Sequence, residues 1–369
     1  MKNKKHIRVF LAAGGSGGHI FPAIALSREL DNKGLDVNFI SSKRQLDRTL
    51  LSAYKDKSFF LSINPMPYNF NPVKWVVFFC KIFWDIMFAL FLIVRFRPNV
   101  FVGFGGYSTG AASLGAKLLG IPILIHEQNS ETGRANKILS RVAKVIAVSF
   151  KDSIELIPKK SARVVYTGNP IRNIMSFNNK KEARSLLGLN SDKYTILIIG
   201  GSQGSTFLNR TALAMAKVLN ETKQGEIQFI HLTGIKDYES VLESYAENNI
   251  SAKVFPFLNN IEYAYSACDI AISRSGAAVI FELALYGKPM ILVPYPSLKN
   301  SQRSNARYFM REGAAILREE KDLSGNILAE DILKIFNNKE ISDKMAQSSL
   351  FLACPKAAMN LAEEVIKLV

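Results

Sequence analysis

Three glycine-rich segments hold the residues best suited to chemistry: residues 14–19 (GGSGGH), 103–107 (GFGGY) and 200–204 (GGSQG). Each segment follows a short apolar run. Glycine lets the backbone approach a ligand closely, and the start of a following helix offers unpaired N–H groups with a partial positive charge, a combination that binds phosphate. A tight turn alone would explain one such segment. Three in the same context predict ligands that carry phosphate.

The familiar loop motifs fit the first segment poorly. A dinucleotide fingerprint is excluded because Ile20 stands where the third glycine belongs, and Ser41-Ser42 rather than an acid ends the next strand. No glycine is followed by Lys and then Ser or Thr, so a P-loop is excluded as well. Gly-x-Ser-x-Gly occurs around both Ser16 and Ser202, which leaves open whether each serine is a nucleophile or a small hydroxyl facing a phosphate. No two aspartates are two residues apart, which argues against a metal-dependent nucleotide site of the Asp-x-Asp type.

A few side chains near these segments are candidates for acid–base chemistry. His19 ends the first segment at a helix start, where it can act as a general base or donate a hydrogen bond to a ligand. The alternative is that its ring only satisfies a backbone group there. Glu127 and Tyr107 are rival acid–base candidates, and His126 is predicted to be a strand-end residue. Asn129 can hydrogen-bond hydroxyl groups of a ligand.

The elements that must position these residues are short apolar strands that alternate with helices. Helices are predicted between the strands, for example over residues 22–33, 108–119 and 277–286. This alternation indicates α/β domains with parallel sheets and crossover helices, in which ligands bind beyond the carboxyl ends of the strands. The predicted strands form two series, at residues 9–13, 37–41, 100–102, 122–126, 145–148 and 164–166, and then at 195–199, 228–232, 253–256, 270–273 and 290–294.

Length and composition agree with two globular domains. A chain of 369 residues exceeds one ordinary core, and 48% hydrophobic with 21% charged residues excludes a disordered or fibrous protein. The three cysteines are far apart and show no metal-ligand or disulfide spacing, which favours a reducing compartment. The apolar run at residues 9–13 is shorter than the roughly 7–15 residues of a signal peptide, so we predict a buried first strand instead.

The positive charge is concentrated in the N-terminal half. Lys and Arg number 47 against 31 acids, a net charge of +16. Residues 1–165 hold 24 basic and 10 acidic residues, a net of +14, which leaves +2 for the rest of the chain. A basic composition of the source would spread the excess over both halves. The N-terminal half is therefore predicted to face an anionic partner, which could be a nucleic acid, an acidic membrane surface or a phosphorylated substrate.

A set of motifs, taken in order, carries a resemblance to a known family. The motifs are residues 14–23 (GGSGGHIFPA), 103–107 (GFGGY), 126–129 (HEQN), 168–172 (GNPIR), 200–205 (GGSQGS), 273–277 (SRSGA), Glu282, 287–294 (GKPMILVP) and 302–306 (QRSNA). The set resembles the MurG family, which transfers N-acetylglucosamine from UDP-GlcNAc to a muramoyl-pentapeptide linked to a polyprenyl diphosphate. The resemblance extends over about residues 7–310. It implies a GT-B fold, with two Rossmann-like α/β domains whose parallel sheets face each other across a cleft.

The resemblance also implies a division of labour. Residues 1–166 with 351–369 would form an acceptor- and membrane-binding domain, because the last helix of the family, here residues 355–369, returns to the N-terminal domain. Residues 167–350 would bind UDP-GlcNAc. The implied reaction is inverting, gives a β-1,4 linkage and uses no metal or other cofactor, which agrees with the missing Asp-x-Asp.

Most of the substrate contacts implied by the resemblance lie in the second half of the chain. Arg172 would contact the diphosphate, and Ser275, Gly276 and Ala277 would open a helix whose N–H groups point at the same group. Glu282 would hold the ribose hydroxyls, which suits a carboxylate that accepts two hydrogen bonds. The other implied contacts are Gln302 with the sugar, Leu258 with uracil, and Ser16, Gly17, Gly18, Asn129 and Ser202.

Three positions depart from the family pattern. Ser301 stands where the family usually has the first glutamine of a Gln-Gln pair, so sugar selectivity would rest on the amide of Gln302 alone. Val279 replaces a threonine and cannot supply its hydroxyl, and Ser16 replaces a commoner threonine conservatively. None of these changes removes a proposed acid–base group.

Residues 75–94 (WVVFFCKIFWDIMFALFLIV) decide the membrane question, because they are long enough to span a bilayer. Their Val, Ile, Leu and Phe residues contribute roughly −4 to −8 kcal/mol to insertion, and Lys81 with Asp85 costs about +5 to +7 kcal/mol, so hydropathy does not decide. A span would separate the first two glycine segments across the membrane, where they could not form one site. We therefore predict that the segment does not span.

The same segment is amphipathic as a helix. At about 100° per residue, Lys74, Lys81 and Asp85 share one stripe. The opposite face is predicted to be part core and part membrane-docking surface, flanked by Lys74, Arg95 and Arg97, with a wholly buried helix as the alternative. That face bears Phe79, Phe83, Ile86, Met87 and Leu90.

The sequence thus favours a glycosyltransferase on the cytoplasmic face of the bacterial cell membrane. Its predicted partners are UDP-GlcNAc, the polyprenyl-diphosphate-linked acceptor and an anionic membrane surface. The alternative is a protein that binds a sugar nucleotide or a polyprenyl diphosphate without turnover. A nucleic-acid partner is suggested by charge alone and is not predicted, because no base-stacking motif or zinc-finger spacing supports it.

Overall fold

Two parallel β-sheets organise the chain in the computed structural model, which describes residues 7–62, 71–157, 162–171, 179–201, 203–297 and 301–369. The chain divides into two compact units. Unit 1 comprises Met1–Arg172 and Cys354–Val369, and unit 2 comprises Asn173–Ala353.

Unit 1 is built on a seven-stranded parallel sheet of order β3-β2-β1-β4-β5-β6-β7. Its central strands are buried along almost their whole length, as expected when helices cover both faces of a parallel sheet. The strands are β1 (Arg8–Ala12), β2 (Asp36–Ser42), β3 (Ser58–Leu61), β4 (Val100–Gly103), β5 (Ile123–Glu127), β6 (Val145–Val148) and β7 (Arg163–Tyr166). The helices between them are α1 (Gly17–Asn32), α2 (Gln45–Leu50), α3 (Pro72–Phe96), α4 (Tyr107–Leu118), α5 (Arg134–Leu139) and α6 (Ser153–Leu156), with a 3₁₀ turn at Ser52–Lys57.

Unit 2 repeats the same plan with a six-stranded parallel sheet of order β10-β9-β8-β11-β12-β13. Its strands are β8 (Tyr194–Ile199), β9 (Ile227–Leu232), β10 (Ala252–Phe255), β11 (Ile270–Ser273), β12 (Met290–Leu292) and β13 (Ala315–Leu317). Its helices are α7 (Lys180–Leu186), α8 (Thr206–Thr222), α9 (Tyr238–Glu247), α10 (Ile261–Ala267), α11 (Ala277–Leu285), α12 (Ser301–Arg311), α13 (Gly325–Phe336) and α14 (Lys339–Leu352), with a 3₁₀ turn at Glu320–Asp322. The last helix, α15 (Ala357–Ile366), returns to unit 1 and packs against α1, with Leu361 and Val365 in the core.

All eleven predicted strands are present, and the sheets contain two strands that the sequence did not predict. Both of these, β3 and β13, lie at a sheet edge and have only four and three residues, too few to give a distinct apolar run. The predicted start of the first helix at residue 22 is wrong. Helix α1 begins at Gly17 and contains Pro22, whose missing N–H removes only the hydrogen bond to Gly18 in the first turns.

The strand order of each sheet reverses direction at one point. In unit 1 the chain leaves β1 toward β2 on one side, and β4 then pairs with β1 on the other side. Unit 2 has the same arrangement at β8, which lies between β9 and β11. Ligands of open α/β sheets bind in the crevice at such a switch point, beyond the carboxyl ends of the strands. The three glycine segments follow β1, β4 and β8, so each lies at a switch point.

Helix α3 turns its aromatic side outward. The buried side contains Asp85, whose carboxylate accepts a hydrogen bond from the backbone N–H of Ser62 at 2.8 Å, together with Ala89 and Ile93. Asp85 of the polar stripe therefore faces unit 1, whereas Lys74 of the same stripe is exposed. Phe79 and Phe83 are each 58% exposed. The wholly buried alternative is wrong for this helix. It is long and apolar enough to cross a bilayer, and 22% of its most apolar stretch is buried.

Candidate active site

The first two glycine segments touch each other at the switch point of unit 1. Gly106 has φ +87°, and a Cβ atom built on it would lie only 2.5 Å from the carbonyl oxygen of Gly14. Only glycine allows this backbone approach. Ser16 precedes the first residue of α1, and Gly18 in the first turn is exposed. Ser16, Gly17 and Gly18 therefore present backbone and hydroxyl groups beside the second segment.

His19 lies in the first turn of α1 with its ring between the two segments. Its Nδ1 lies 3.0 Å from the carbonyl oxygen of Gly14 and 3.4 Å from Oγ of Ser16. Because a carbonyl oxygen can only accept, this contact assigns the proton of the neutral ring to Nδ1. Nε2 is then the proton-accepting nitrogen, and it lies 3.3 Å from the position of a Cβ atom built on Gly105. The ring is thus oriented to take a proton at the second glycine segment.

Glu127 is buried at the end of β5, and both carboxylate oxygens accept hydrogen bonds from the following loop. Oε1 accepts from the backbone N–H of Asn129 at 3.0 Å. Oε2 accepts from the backbone N–H of Gly133 at 2.9 Å and from Nδ2 of Asn136 at 2.8 Å. A carboxylate with this set of donors fixes the course of the loop that carries Asn129, which itself is half-buried.

The structure thus brings the unit 1 candidates to one edge, since their loops follow the neighbouring strands β1, β4 and β5. Tyr107 is the first residue of α4, but its side chain lies outside the described part of the structure. Arg172 and Ser202 also lie outside the described residues. Their implied contacts with the substrate remain predictions.

Two buried side chains of unit 1, Asp47 and His126, support the site. The sequence did not predict a role for Asp47, and it predicted His126 only as a strand-end residue. Asp47, on α2, accepts from the backbone N–H of Gly15 at 2.9 Å and from the hydroxyls of Ser42 at 2.6 Å and Ser41 at 3.2 Å. The serine pair that ends β2, with an acid five residues later, was the only sequence signal. His126, the strand-end histidine, is fully buried, and its Nε2 donates to the carbonyl oxygen of Gly168 at 3.1 Å.

The His126 ring is held neutral by its surroundings. Burial lowers the pKa of His126 to about 4, although the hydrogen bond to Gly168 opposes that shift. Nδ1 accepts a hydrogen bond from Nε2 of Gln128 at 3.2 Å, consistent with a proton on Nε2 of the histidine. His126 therefore anchors the segment that leads to Arg172 rather than titrating near neutral pH.

At the switch point of unit 2, the segment after β11 opens a helix. Gly276 precedes α11 with extended backbone, and Ala277 is the first helical residue. Ser275 donates its hydroxyl to the carbonyl oxygen of Gln302 at 2.8 Å, and its own carbonyl accepts from Nδ2 of Asn305 at 3.1 Å. These bonds hold the start of α11, whose first N–H groups are suited to an anion.

The remaining unit 2 candidates lie on α11, in the loop after β10 and on α12. Glu282 is 2% exposed on α11, and its Oε2 accepts from the hydroxyl of Tyr265 at 2.7 Å. Leu258 is half-buried in the loop after β10. Oε1 of Gln302 accepts from the backbone N–H of Tyr295 at 2.9 Å, so the amide NH₂ is the end left to donate to a ligand.

Arg274 belongs to the SRSGA motif, and the sequence predicted no role for it. Its buried guanidinium donates to the carbonyl oxygens of Val293 at 3.1 Å and Pro294 at 3.2 Å. It also donates to Oγ of Ser205 at 2.6 Å and pairs with Glu320. Ser205 caps α8 just after the third glycine segment. Arg274 therefore ties together three loops at the carboxyl edge of the unit 2 sheet.

Within the described residues, no group of three or more His, Cys, Asp or Glu side chains could hold a metal ion.

Comparisons with known proteins identify the family. The profile of the "Glycosyltransferase family 28 N-terminal domain" matches residues 9–148, and that of the "Glycosyltransferase family 28 C-terminal domain" matches residues 195–363. The chain is 37% identical over 364 residues to a protein of Desulfotalea psychrophila, covering 97% of this chain and 96% of the relative. It is 34% identical over 372 residues to a protein of Halothermothrix orenii, covering 98% and 100%. Both relatives are named "UDP-N-acetylglucosamine--N-acetylmuramyl-(pentapeptide) pyrophosphoryl-undecaprenol N-acetylglucosamine transferase".

Solved structures agree with this placement. The crystal structure of Acinetobacter baumannii MurG matches with a TM-score of 0.79 at 27% identity, covering 98% of this chain and 99% of that one. A UDP-GlcNAc 2-epimerase from Neisseria meningitidis, bound to UDP-GlcNAc, matches with a TM-score of 0.70 at 17% identity, which shows a shared fold. The predicted fold class, two Rossmann-like domains with parallel sheets in a GT-B fold, is confirmed, and the chain belongs to the MurG family of glycosyltransferases.

Proposed function

We infer that this protein transfers N-acetylglucosamine from UDP-GlcNAc to the muramoyl-pentapeptide of a polyprenyl-diphosphate lipid, in peptidoglycan synthesis. The observation that carries this function is the 37% identity over 97% of the chain to a relative named for that transfer. Among the described residues, His19 at the switch point of unit 1 and the start of α11 at that of unit 2 support the proposal. The alternative, a binding protein without turnover, is disfavoured because an oriented proton acceptor accompanies the ligand-binding loops.

The donor is assigned to unit 2. The start of α11 offers N–H groups for the diphosphate of UDP-GlcNAc, and Arg172 is proposed as a further positive charge for that group. Glu282 is the acceptor for the ribose hydroxyls, Leu258 the apolar contact for uracil, and the NH₂ group of Gln302 the donor to the sugar. Ser202, in the third glycine segment, completes the proposed donor contacts.

The acceptor is assigned to unit 1. Ser16, Gly17 and Gly18 open α1 and suit the diphosphate of the lipid, and Asn129 suits a sugar hydroxyl. Unit 1 carries 27 Lys and Arg against 12 Asp and Glu, a net of +15, whereas unit 2 carries 20 against 19, a net of +1. The charge distribution therefore favours the lipid-linked anion on unit 1.

His19 is the proposed general base. The acceptor hydroxyl attacks the anomeric carbon of the donor sugar, the bond from that carbon to UDP breaks, and UDP leaves with the bonding electrons. Nε2 of His19 takes the hydroxyl proton, and the carbonyl of Gly14, which receives the Nδ1 proton, stabilises the resulting imidazolium. Glu127 is a positioning residue in this scheme, because its oxygens are engaged by the loop that carries Asn129. Tyr107 remains a rival acid–base group.

The membrane surface is assigned to the outward side of α3. The strands on either side of it, β3 and β4, belong to one sheet, so α3 is a crossover helix and cannot separate them across a bilayer. Leu118 of α4 and Ile138 of α5, two helices of the same unit, are also 72% and 68% exposed. The exposed Lys74, Arg95 and Arg97 suit an anionic leaflet. These features support a peripheral enzyme on the cytoplasmic face of the cell membrane.

A transfer assay tests the proposal. Purified full-length protein is mixed with radiolabelled UDP-GlcNAc and a lipid-linked muramoyl-pentapeptide analogue, and the disaccharide lipid is separated and its linkage determined. We expect a β-1,4-linked product without added metal. Binding of UDP-GlcNAc with no transfer to the acceptor would support the binding protein instead. The variants His19→Ala, Glu127→Gln and Tyr107→Phe then distinguish the three acid–base candidates by their kcat.

A further inference from the structure

The buried pair of Tyr265 and Glu282 joins two helices of unit 2. Tyr265 lies on α10 and is 1% exposed, and Glu282 lies on α11 and is 2% exposed. The phenol donates to Oε2 of the carboxylate at 2.7 Å. A hydrogen bond to an ionised acceptor is stronger than a neutral one, and it is strongest where water is excluded.

The hydrogen bond also constrains the direction of the carboxylate. A glutamate side chain has several rotamers of similar energy, so an unsupported carboxylate would have to be ordered by its ligand. Tyr265 engages one oxygen from a rigid, fully packed ring, which stands 5.6 Å from the ring of Tyr286. The carboxylate is thereby held in one orientation before any ligand arrives.

The position of α10 in the chain has a second consequence. It begins at Ile261, three residues after Leu258, so the segment proposed to contact uracil leads directly into the helix that carries Tyr265. The bond from Tyr265 to Glu282 therefore ties the base side of the nucleoside site to its ribose side.

We propose that Tyr265 is a positioning residue for nucleotide binding: it orients Glu282 toward the ribose hydroxyls and fixes the uracil-contacting loop relative to that carboxylate. The inference rests on the proposed function of Glu282. Tyr265 itself touches no substrate in this scheme. Its contribution should appear only with nucleotides that present ribose hydroxyls to Glu282.

The test compares Tyr265→Phe with wild type, using UDP and 2′,3′-dideoxy-UDP as ligands in isothermal titration calorimetry. In the variant the Glu282 carboxylate has to be ordered by its ligand, which predicts that UDP binds about tenfold more weakly, whereas the affinity for the dideoxy nucleotide changes by less than about twofold. In the transfer assay, KM for UDP-GlcNAc should rise by a similar factor, while kcat and the acceptor KM stay within about twofold.

Tyr245→Phe is the matched control. Tyr245 is also a buried tyrosine of unit 2, and its hydroxyl lies 3.0 Å from Nδ1 of His231, outside the proposed nucleotide site. This variant also loses a buried hydrogen bond of a tyrosine hydroxyl, so it reports the effect of destabilising unit 2 alone. We expect its affinity for both nucleotides to match wild type. If Tyr265→Phe weakens both nucleotides equally, the role of Tyr265 is structural and the proposal is overturned.

The variant Glu282→Gln distinguishes a failure of the inference on Tyr265 from a failure of the proposed role of Glu282. If it abolishes the preference for UDP over the dideoxy nucleotide while Tyr265→Phe retains that preference, the inference on Tyr265 fails and the proposed function stands. If Glu282→Gln itself leaves the preference intact, the ribose role of Glu282 is wrong, and the inference fails with it.

Discussion

The two units share one strand order but differ in charge and in exposed surface. Both sheets reverse at their first strand, and both place glycine segments and helix starts at that point. Yet unit 1 carries a net charge of +15 and the exposed aromatic face of α3, whereas unit 2 carries +1. The shared strand order fixes where a ligand would bind, and we expect the loops and the surface charge to determine which ligand it is.

The buried polar groups of the two units differ in the same way. In unit 1 the carboxylates of Asp47 and Glu127 accept backbone N–H groups and so shape the loops themselves. In unit 2 the loops are held by Arg274, and Glu282 is held by a tyrosine hydroxyl. In unit 1, Asp47 and Glu127 thus fix the shape of loops, whereas Glu282 of unit 2 is the proposed contact for the ribose.

The largest expected difference between the units lies in the chemical step. His19→Ala removes the proposed base from unit 1 and should lower kcat by about 10²- to 10⁴-fold. The Kd for UDP should be unchanged, because the donor contacts are assigned to unit 2. Single-turnover transfer rates and calorimetry on the same preparation check this. A variant that keeps wild-type kcat would remove His19 from the mechanism.

Backbone geometry at the first two glycine segments gives the next effect. Gly106→Ala would place a Cβ atom 2.5 Å from the carbonyl oxygen of Gly14 at φ +87°, so we expect a loss of about 1–3 kcal/mol in stability and a raised acceptor KM. Gly110→Ala is the matched control in the same helix, where the Cβ position has no neighbour within 4 Å. It should stabilise α4 by roughly 0.5–1 kcal/mol. Urea unfolding of both variants measures the contrast, and equal effects would contradict it.

The response to acid should appear in both units through one buried histidine each. Burial lowers the pKa of His126 in unit 1 to about 4 and that of His231 in unit 2 to about 3. The unfolded chain takes up these protons below about pH 6.5 and the folded chain does not, so stability falls as the pH drops from there.

At about pH 5 each histidine should cost about 2 kcal/mol of stability relative to neutral pH. In His126→Gln and in His231→Gln, the unit that carries the substitution should no longer lose this free energy of unfolding between neutral pH and about pH 5. Urea denaturation at both pH values measures the difference. A pH dependence identical to wild type in either variant would show that the corresponding ring is protonated in the folded state.

The last expected difference concerns the membrane surface. Phe83→Ser on α3 removes one exposed aromatic side chain, worth roughly 1.5–3 kcal/mol if buried in lipid, and should weaken binding to anionic vesicles by about tenfold or more. Phe351→Ser on α14 of unit 2 is the matched control, since Phe351 is 75% exposed. We expect it to bind vesicles as wild type does in flotation assays. Equal losses would mean that the surface of α3 is not the membrane contact.

The sequence predicted the interior of both sheets because fully buried parallel strands read as continuous apolar runs. It missed β3 and β13, which lie at the edges, where three or four residues give no such run. It predicted that the apolar face of α3 is part core and part exposed, and Ile86 on that face is half-buried while Phe83 is exposed. It did not predict that Asp85 is buried, with its carboxylate accepting from the backbone N–H of Ser62. The spacing of polar residues marks Asp85 as a surface position. It does not show that a hydrogen bond from the backbone allows this carboxylate to be buried.

The candidate site was predictable where its residues follow strands and open helices, as with His19 and Gly276. The supporting side chains were not. The partner of Tyr265 is 17 residues away on another helix, and Asp47 reaches Gly15 over 32 residues, so no local spacing reveals either contact. Such residues become visible only when the fold brings their partners together.

Hydrogen–deuterium exchange of the full chain with UDP alone tests the division between the units most directly. We predict slower exchange in unit 2, at residues 256–265 and 275–286, and unchanged exchange at residues 14–20 and 103–108. Protection by UDP at the glycine segments of unit 1, with none at the start of α11, would contradict it.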